Sequence, residues 1–146
     1  MIVRQAIMKD RDEFVRLANL FFVESEYEFT LDNTTLLNNF IYSVDSENIK
    51  TFVMQEGNKL VGMLVGGIQQ TLFSKDLIAT ELAWYVEKDY RGNKYSLQLL
   101  DMYEEWAKDC GCSFVTMVDI DPLNSLQKLY ERKGFKLQEK TYVKRF

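Results

Sequence analysis

The chain has 146 residues, 47% of them hydrophobic, with one proline and seven glycines, which suits a single packed domain over residues 1–146 and leaves no low-complexity stretch to stay disordered. Its net charge is −4 and its basic residues are scattered, which argues against a nucleic-acid partner. No apolar run approaches membrane-spanning length, and the opening MIVRQAIMKD lacks a signal-peptide layout, so the sequence points to a soluble protein with no membrane partner.

IVRQA, residues 2–6, predicts a short strand. Asp10 then stands as a helix N-cap with Glu13 three residues on, in the spacing of a capping box. Phe14, Leu17, Ala18 and Phe21 share one face of the helix that follows. NTTLLNNFIYSV predicts a second helix with Leu37, Phe40, Ile41 and Val44 turned inward. KTFVMQE, the turn GNK and LVGMLVGGIQQTLF form a hairpin signal, and LIATELAWYVE is a further strand rich in β-branched and aromatic residues. After Asn93 the period lengthens: Leu99, Tyr103, Trp106 and Cys110 make a stripe flanked by Leu100 and Ala107, and Gly111 can close the helix in the left-handed conformation. SFVTMVDI is a strand. PLNSLQKLYERK is a short helix with Leu126, Leu129 and Tyr130 inside, and FKLQEKTYVKRF returns as a last strand. A strand–helix–strand unit among hairpins implies an α/β (α+β) fold: a mixed, mostly antiparallel central sheet with helices on both faces.

Two absences narrow the chemistry. The chain has no histidine, which excludes Ser-His-Asp and Cys-His devices and leaves proton transfer to Glu, Asp, Tyr, Lys, Cys, water or substrate. Cys110 and Cys112 flank a single glycine, too close for an easy disulfide, and no second pair exists to build a zinc site. No metal is expected, and a reducing cytoplasm fits best.

The join between the strand ending at Val86 and the helix starting near Asn93 gathers Arg91, Gly92, Asn93 and Lys94. First-turn N–H groups lack internal partners, and together with the helix dipole they attract an anion such as a phosphate. Arg91 can fork onto phosphate oxygens, and Gly92 lets the backbone come close. The bland alternative is a solvated basic helix start. Neither a G-x-G-x-x-G nor a G-x-x-x-x-G-K-[ST] is present, so ordinary Rossmann and P-loop readings lack their glycines.

LAWYVEKDYRGNKYSLQLL, EWAKDCGCSFVTM and NSLQKLYERKGF, in that order, resemble the GNAT superfamily of acyl-CoA-dependent N-acyltransferases. The resemblance implies that the strand backbone at Trp84, Tyr85 and Val86 pairs with the pantetheine arm of acetyl-CoA. It implies a pyrophosphate cradle at Arg91, Gly92, Asn93, Lys94, Tyr95 and Ser96, a cofactor contact at Asn124, and Tyr130 near the thioester sulfur. The strands flanking the site are expected to splay. Lys94 and Ser96 replace the second and third small residues of the family's R-G-x-G-x-G/A loop; their side chains can crowd the pyrophosphate or donate to it.

Within that frame Tyr130 is the candidate proton donor to the leaving sulfur, set against a core tyrosine that only packs. Glu81 is the candidate base: period-2 alternation places it with Ala83 and Tyr85, and burial in so apolar a strand would raise its pKa. Asp119 and Asp121 could act through water instead, and the amide of Val86 could face the oxyanion. Trp84 and Trp106 also read as packing residues. Glu24, Glu26 and Glu28 could draw a cationic amine, although a solvated helix end explains them as well. The resulting expectation is acetyl transfer from acetyl-CoA to a primary amine, on a small molecule or a protein, by direct attack. A GNAT-like binding or interaction module, with a second copy of the chain as one partner option (a homodimer), is the alternative, and a domain for another phosphate-bearing ligand is a third.

Overall fold

In the computed structural model, which describes residues 1–120 and 126–146, nine main elements follow in chain order. Strand β1 (Ile2–Gln5) leads to helices α1 (Arg11–Ser25) and α2 (Asn33–Asp45). Strands β2 (Ile49–Glu56), β3 (Lys59–Gln70) and β4 (Leu77–Val86) come next, then α3 (Lys94–Asp109), β5 (Cys112–Thr116) and α4 (Gln127–Arg132). The five strands lie side by side in sequence order. β1 to β4 pair antiparallel, whereas β5 joins β4 in parallel because α3 carries the chain back across the sheet. The mixed, mostly antiparallel sheet read from the sequence is therefore present.

Alternation along the strands sorts apolar side chains onto two faces. Val53, Leu60, Met63 and Tyr85 meet Phe14, Leu17, Phe21 and Phe40 of α1 and α2. Phe52, Met54, Val61, Leu64 and Val86 meet Leu99, Leu100, Tyr103 and Ala107 of α3. Gly66 sits where α3 comes closest: a Cβ there would lie 2.5 Å from Cε2 of Tyr103 and 3.0 Å from Cζ3 of Trp106. Tyr103 is fully buried and has no room to yield. Gly66→Ala is therefore expected to cost about 1–3 kcal/mol, seen as a lower midpoint in thermal unfolding. An unchanged midpoint would mean that α3 packs more loosely than this geometry.

Several sequence expectations need correction. Asp10 does stand at the N-cap of α1, but its carboxylate makes no capping bond to that helix. It pairs with both terminal nitrogens of Arg4 at 2.8 and 2.9 Å and accepts from the amide of Ile7. Glu13 is likewise occupied by Arg16 and the amide of Leu60. A charged partner outcompetes the local cap. In α2, Ile41 faces solvent, and Leu36 takes part in the core instead. The expected strand over residues 113–120 ends at Thr116. Residues 135–146 form no strand; Leu137, Tyr142, Val143 and Phe146 stay exposed, and Arg145 reaches the backbone carbonyl of Glu28. Alternation gives that tail a strand's pattern, but the tail takes up neither outer edge of the sheet, at β1 or at β5.

Candidate active site

The early end of β5 opens the site. β4 and β5 pair from Leu77 opposite Cys112 only as far as Thr80 opposite Thr116, so residues 81–86 of β4 have no strand neighbour on that side among the described residues. On the other side, the amide of Glu87 donates to the carbonyl of Val61 at 2.9 Å. Antiparallel alternation then turns the N–H and C=O groups of Val86 and Trp84 toward the open edge. The strands do part, from Glu81 onward.

Side chains replace the missing ladder. The amide of Val118 donates to Oε2 of Glu81 at 2.8 Å, and the hydroxyl of Tyr130 donates to the carbonyl of Val118 at 2.8 Å. Tyr103 likewise donates to the carbonyl of Thr116 at 3.0 Å. One residue, Val118, is thus held by its N–H and its C=O between the two side chains singled out for catalysis. Sequence reading gave no signal for Val118, because its role comes from its backbone.

Glu81 does not lie on the face that simple alternation assigns. The register steps from Val65 opposite Ala83 to Gly66 opposite Glu81, so Leu82 is an extra, bulged residue. The bulge flips the parity, and Glu81 shares the side of Gly66, toward Tyr103 and Trp106. It is 6% exposed. Burial pushes its carboxyl up to about 7, the Val118 amide pulling the other way. Its second oxygen carries no hydrogen bond among the described residues. Burial also pushes the Tyr130 phenol far above its usual range, with the charges of Glu81 and Asp119 adding to it. Tyr27, on the opposite side of the sheet, is raised by burial and by the charge of Glu81, so the carboxyl is felt from both faces.

Trp84 packs beside Tyr130, ring centroids 6.4 Å apart, and its buried Nε1–H has no acceptor among the described residues. Tyr85 belongs to the α1 face, 6.0 Å from Phe21, and Val86 is buried against α3.

The loop after β4 is more committed than its composition suggests. Nε of Arg91 donates to the carbonyl of Val86 at 2.7 Å, Nη2 pairs with Glu24 at 2.7 Å, and the guanidinium lies 5.5 Å from the centre of the Tyr85 ring. Glu24 is therefore spent on Arg91 rather than open to an amine, while Glu26 and Glu28 are exposed. Gly92 has φ +73°, the left-handed region that favours glycine, with open space where a Cβ would go. Asn93 caps α3, its Oδ1 accepting from the amides of Tyr95 and Ser96 at 2.9 and 3.1 Å. The Ser96 hydroxyl donates to the carbonyl of Asn93 at 2.7 Å, so it is not a free phosphate donor. The ammonium of Lys94 lies over the Tyr95 ring at 5.1 Å. The amides of Gly92, Asn93 and Lys94 make no hydrogen bond to the described residues.

Asp119 accepts from the amide of Leu126 at 3.4 Å at the start of α4. Asn124 and Asp121 lie outside the described residues. Burial pushes both cysteine thiols up, which disfavours a thiolate nucleophile.

A protein-family comparison matches residues 12–135 to the acetyltransferase (GNAT) family. No curated protein matches the chain in sequence. Among solved structures, a protein described as a predicted acetyltransferase with acetyl-CoA, from Clostridium acetobutylicum, superposes with TM-score 0.82 at 17% identity, over 99% of this chain and 95% of that one. A ribosomal-protein-alanine N-acetyltransferase from Brucella melitensis gives TM-score 0.76 at 17% identity, over the whole of both chains. An aminoglycoside 6′-N-acetyltransferase from Acinetobacter haemolyticus gives 0.77 at 16% identity, covering 100% of this chain and 99% of that one. With the family match spanning nearly all of the described elements, the chain belongs to the GNAT family and is an acetyltransferase that uses acetyl-CoA.

Proposed function

We propose that the chain acetylates a primary amine by direct attack, with Glu81 as the base and Tyr130 as the proton donor to the leaving sulfur. The observation that carries this reading is the backbone of Val118 held between Glu81 and Tyr130 where β4 and β5 part. Bound acetyl-CoA supplies the activated thioester. The chain's own groups fit it: the open backbone of Trp84, the amide of Val86 whose carbonyl Arg91 already occupies, the orphaned Nε1–H of Trp84, and the three unengaged amides from Gly92 to Lys94. Tyr85, Tyr95 and Ser96 support that cradle through packing and capping rather than through free donors, and Asn124 is assigned to it by family resemblance alone.

Each residue has one task. The free carboxylate oxygen of Glu81 takes the proton that the amine loses as the N–C bond forms. The amide of Val86 faces the charge that develops on the acetyl oxygen. The Tyr130 phenol, fully protonated at any working pH, gives its proton to sulfur as the C–S bond breaks, and recovers one from solvent. No covalent enzyme intermediate is required. The acceptor is an amine on a small molecule or a protein, in a reducing, cytoplasmic compartment that suits two unpaired thiols. Among the described residues no helix is long and apolar enough to cross a membrane. The scattered basic residues leave nucleic acid outside the reading.

Calorimetry with acetyl-CoA, followed by thiol-release assays across a panel of amines, tests the assignment. Absence of binding at millimolar acetyl-CoA would end it. Arg91 gives a finer test. If the pyrophosphate competes with Glu24 for its guanidinium, Glu24→Gln should tighten acetyl-CoA binding roughly threefold to tenfold, and Arg91→Ala should weaken it by about tenfold or more. Unchanged affinity in both variants would leave Arg91 as a clamp between α1 and β4 and nothing else.

A further inference from the structure

The turn between β3 and β4 is tightly built, and it holds two apolar side chains out in water. The amide of Thr71 donates to the carbonyl of Asp76 at 3.0 Å, and the amide of Ser74 donates to Oγ1 of Thr71 at 3.2 Å. The Ser74 hydroxyl donates to Oδ2 of Asp76 at 2.7 Å, and Ser113 of β5 donates to Oδ1 at 2.9 Å, which ties the turn to the sheet. At its tip Leu72 is 91% and Phe73 93% exposed. A turn fixed in this way loses little conformational freedom when it binds.

A groove of about 250 Å³ lies beside the same hairpin, lined by Tyr42, Ile49, Gly67, Ile68, Thr80 and Leu82 among others. None of its lining side chains is charged. Two of its walls are themselves unusually open: the bulge leaves Leu82 53% exposed, and Tyr42 at the end of α2 is 60% exposed. Gly67 leaves the floor free, the nearest atom to a Cβ there being Cδ1 of Leu82 at 3.4 Å.

We propose that this face binds a second copy of the chain, each copy seating Leu72 and Phe73 in the other's groove. Knob and groove belong to one hairpin, since Gly67 and Ile68 enter the turn and Thr80 leaves it. Two copies related by a twofold axis can therefore satisfy both pairs at once and close the assembly. The charges agree: exposed Lys75 sits on the turn, while exposed Asp45 and Glu47 lie next to Asn48 at the groove rim. Two fully exposed apolar side chains with the open halves of Tyr42 and Leu82 amount to about 500 Å² per copy. The total of about 1,000 Å² is near the lower limit for a specific interface and predicts a micromolar rather than a permanent dimer.

Sedimentation equilibrium of the full chain from micromolar to millimolar concentration is expected to show reversible dimerisation. The double variant Leu72→Ser, Phe73→Ser, whose side chains touch little in the monomer, should dimerise at least tenfold more weakly with an unchanged unfolding midpoint. Mixing Phe73→Cys copies with Leu82→Cys copies under mild oxidation should give a disulfide between positions 73 and 82 of different chains. A monomer at every concentration overturns the proposal. So does a dimer that the double variant leaves as strong as before, or one that never forms the 73–82 link, because it would use another surface.

Discussion

Glu81→Gln is expected to lower kcat/KM by about 10²–10⁴-fold, the usual contribution of a positioned base. The variant keeps an oxygen to accept from the Val118 amide, so the parted strands should stay as they are. What it loses is the group that changes protonation near neutrality. In the native enzyme only the carboxylate can take a proton, and burial has moved its pKa to about 7. The rate should therefore rise with pH through about 7, and the variant's residual rate should lose that limb. Stability should move the opposite way. The folded-state pKa lies above the ordinary value of 4.5, so the folded chain holds this proton more tightly than the unfolded chain does. The favourable contribution of the neutral acid is complete below about 4.5 and is lost as pH climbs through about 7. Above that the buried charge costs about 3 kcal/mol. Thermal unfolding should find Glu81→Gln more stable than the native chain at pH 8, with the gap closing toward pH 5. A gap that does not vary with pH, together with near-native activity, would show a solvated carboxylate and remove Glu81 from the mechanism.

That trade of stability for a poised base explains which parts of the protein were legible in its sequence. Periodicity found the strands and helices because burial itself imposes it: Phe14, Leu17, Ala18 and Phe21 of α1 all lie in the core, as do Leu99, Leu100, Tyr103 and Ala107 of α3. Asn93 and Gly111 marked the ends of α3 through cap chemistry that needs no tertiary information. The site was legible as a set of residues but not as an arrangement. Parity counting put Glu81 on the wrong face because a bulge adds one residue without any sequence mark, and here Leu82 supplies it. The pairing of Arg91 with Glu24 spans from the end of α1 to the loop before α3, a distance over which a single sequence carries no signal. The tail from Phe135 onward shows the reverse failure: its alternation is strand-like, yet it pairs with neither outer strand of the sheet. The pattern can specify which face would be apolar, but not whether the segment joins an edge.

Tyr130→Phe tests the other half of the chemistry, and its predicted signature is a split between turnover and affinity. The phenol stands beside the open edge of β4, its ring 6.4 Å from that of Trp84 and 5.7 Å from that of Phe135. Phenylalanine keeps both ring contacts, so acetyl-CoA affinity measured by calorimetry should change by less than about twofold. The lost hydroxyl leaves the Val118 carbonyl without its donor, a loss of about 1 kcal/mol, and the unfolding midpoint should fall by a few degrees at most. Turnover should fall much further, by about 10²-fold, because the departing sulfur then leaves as an unprotonated thiolate. Burial and the charge of Glu81 both push the phenol's pKa far above its ordinary value, so it keeps its proton at high pH. The native pH–rate profile should accordingly show no falling alkaline limb from this residue. A variant that turns over at the native rate would reduce Tyr130 to a prop for Val118. One that loses affinity and turnover in equal measure would place the hydroxyl in ground-state binding, which stabilises substrate and transition state alike and speeds nothing.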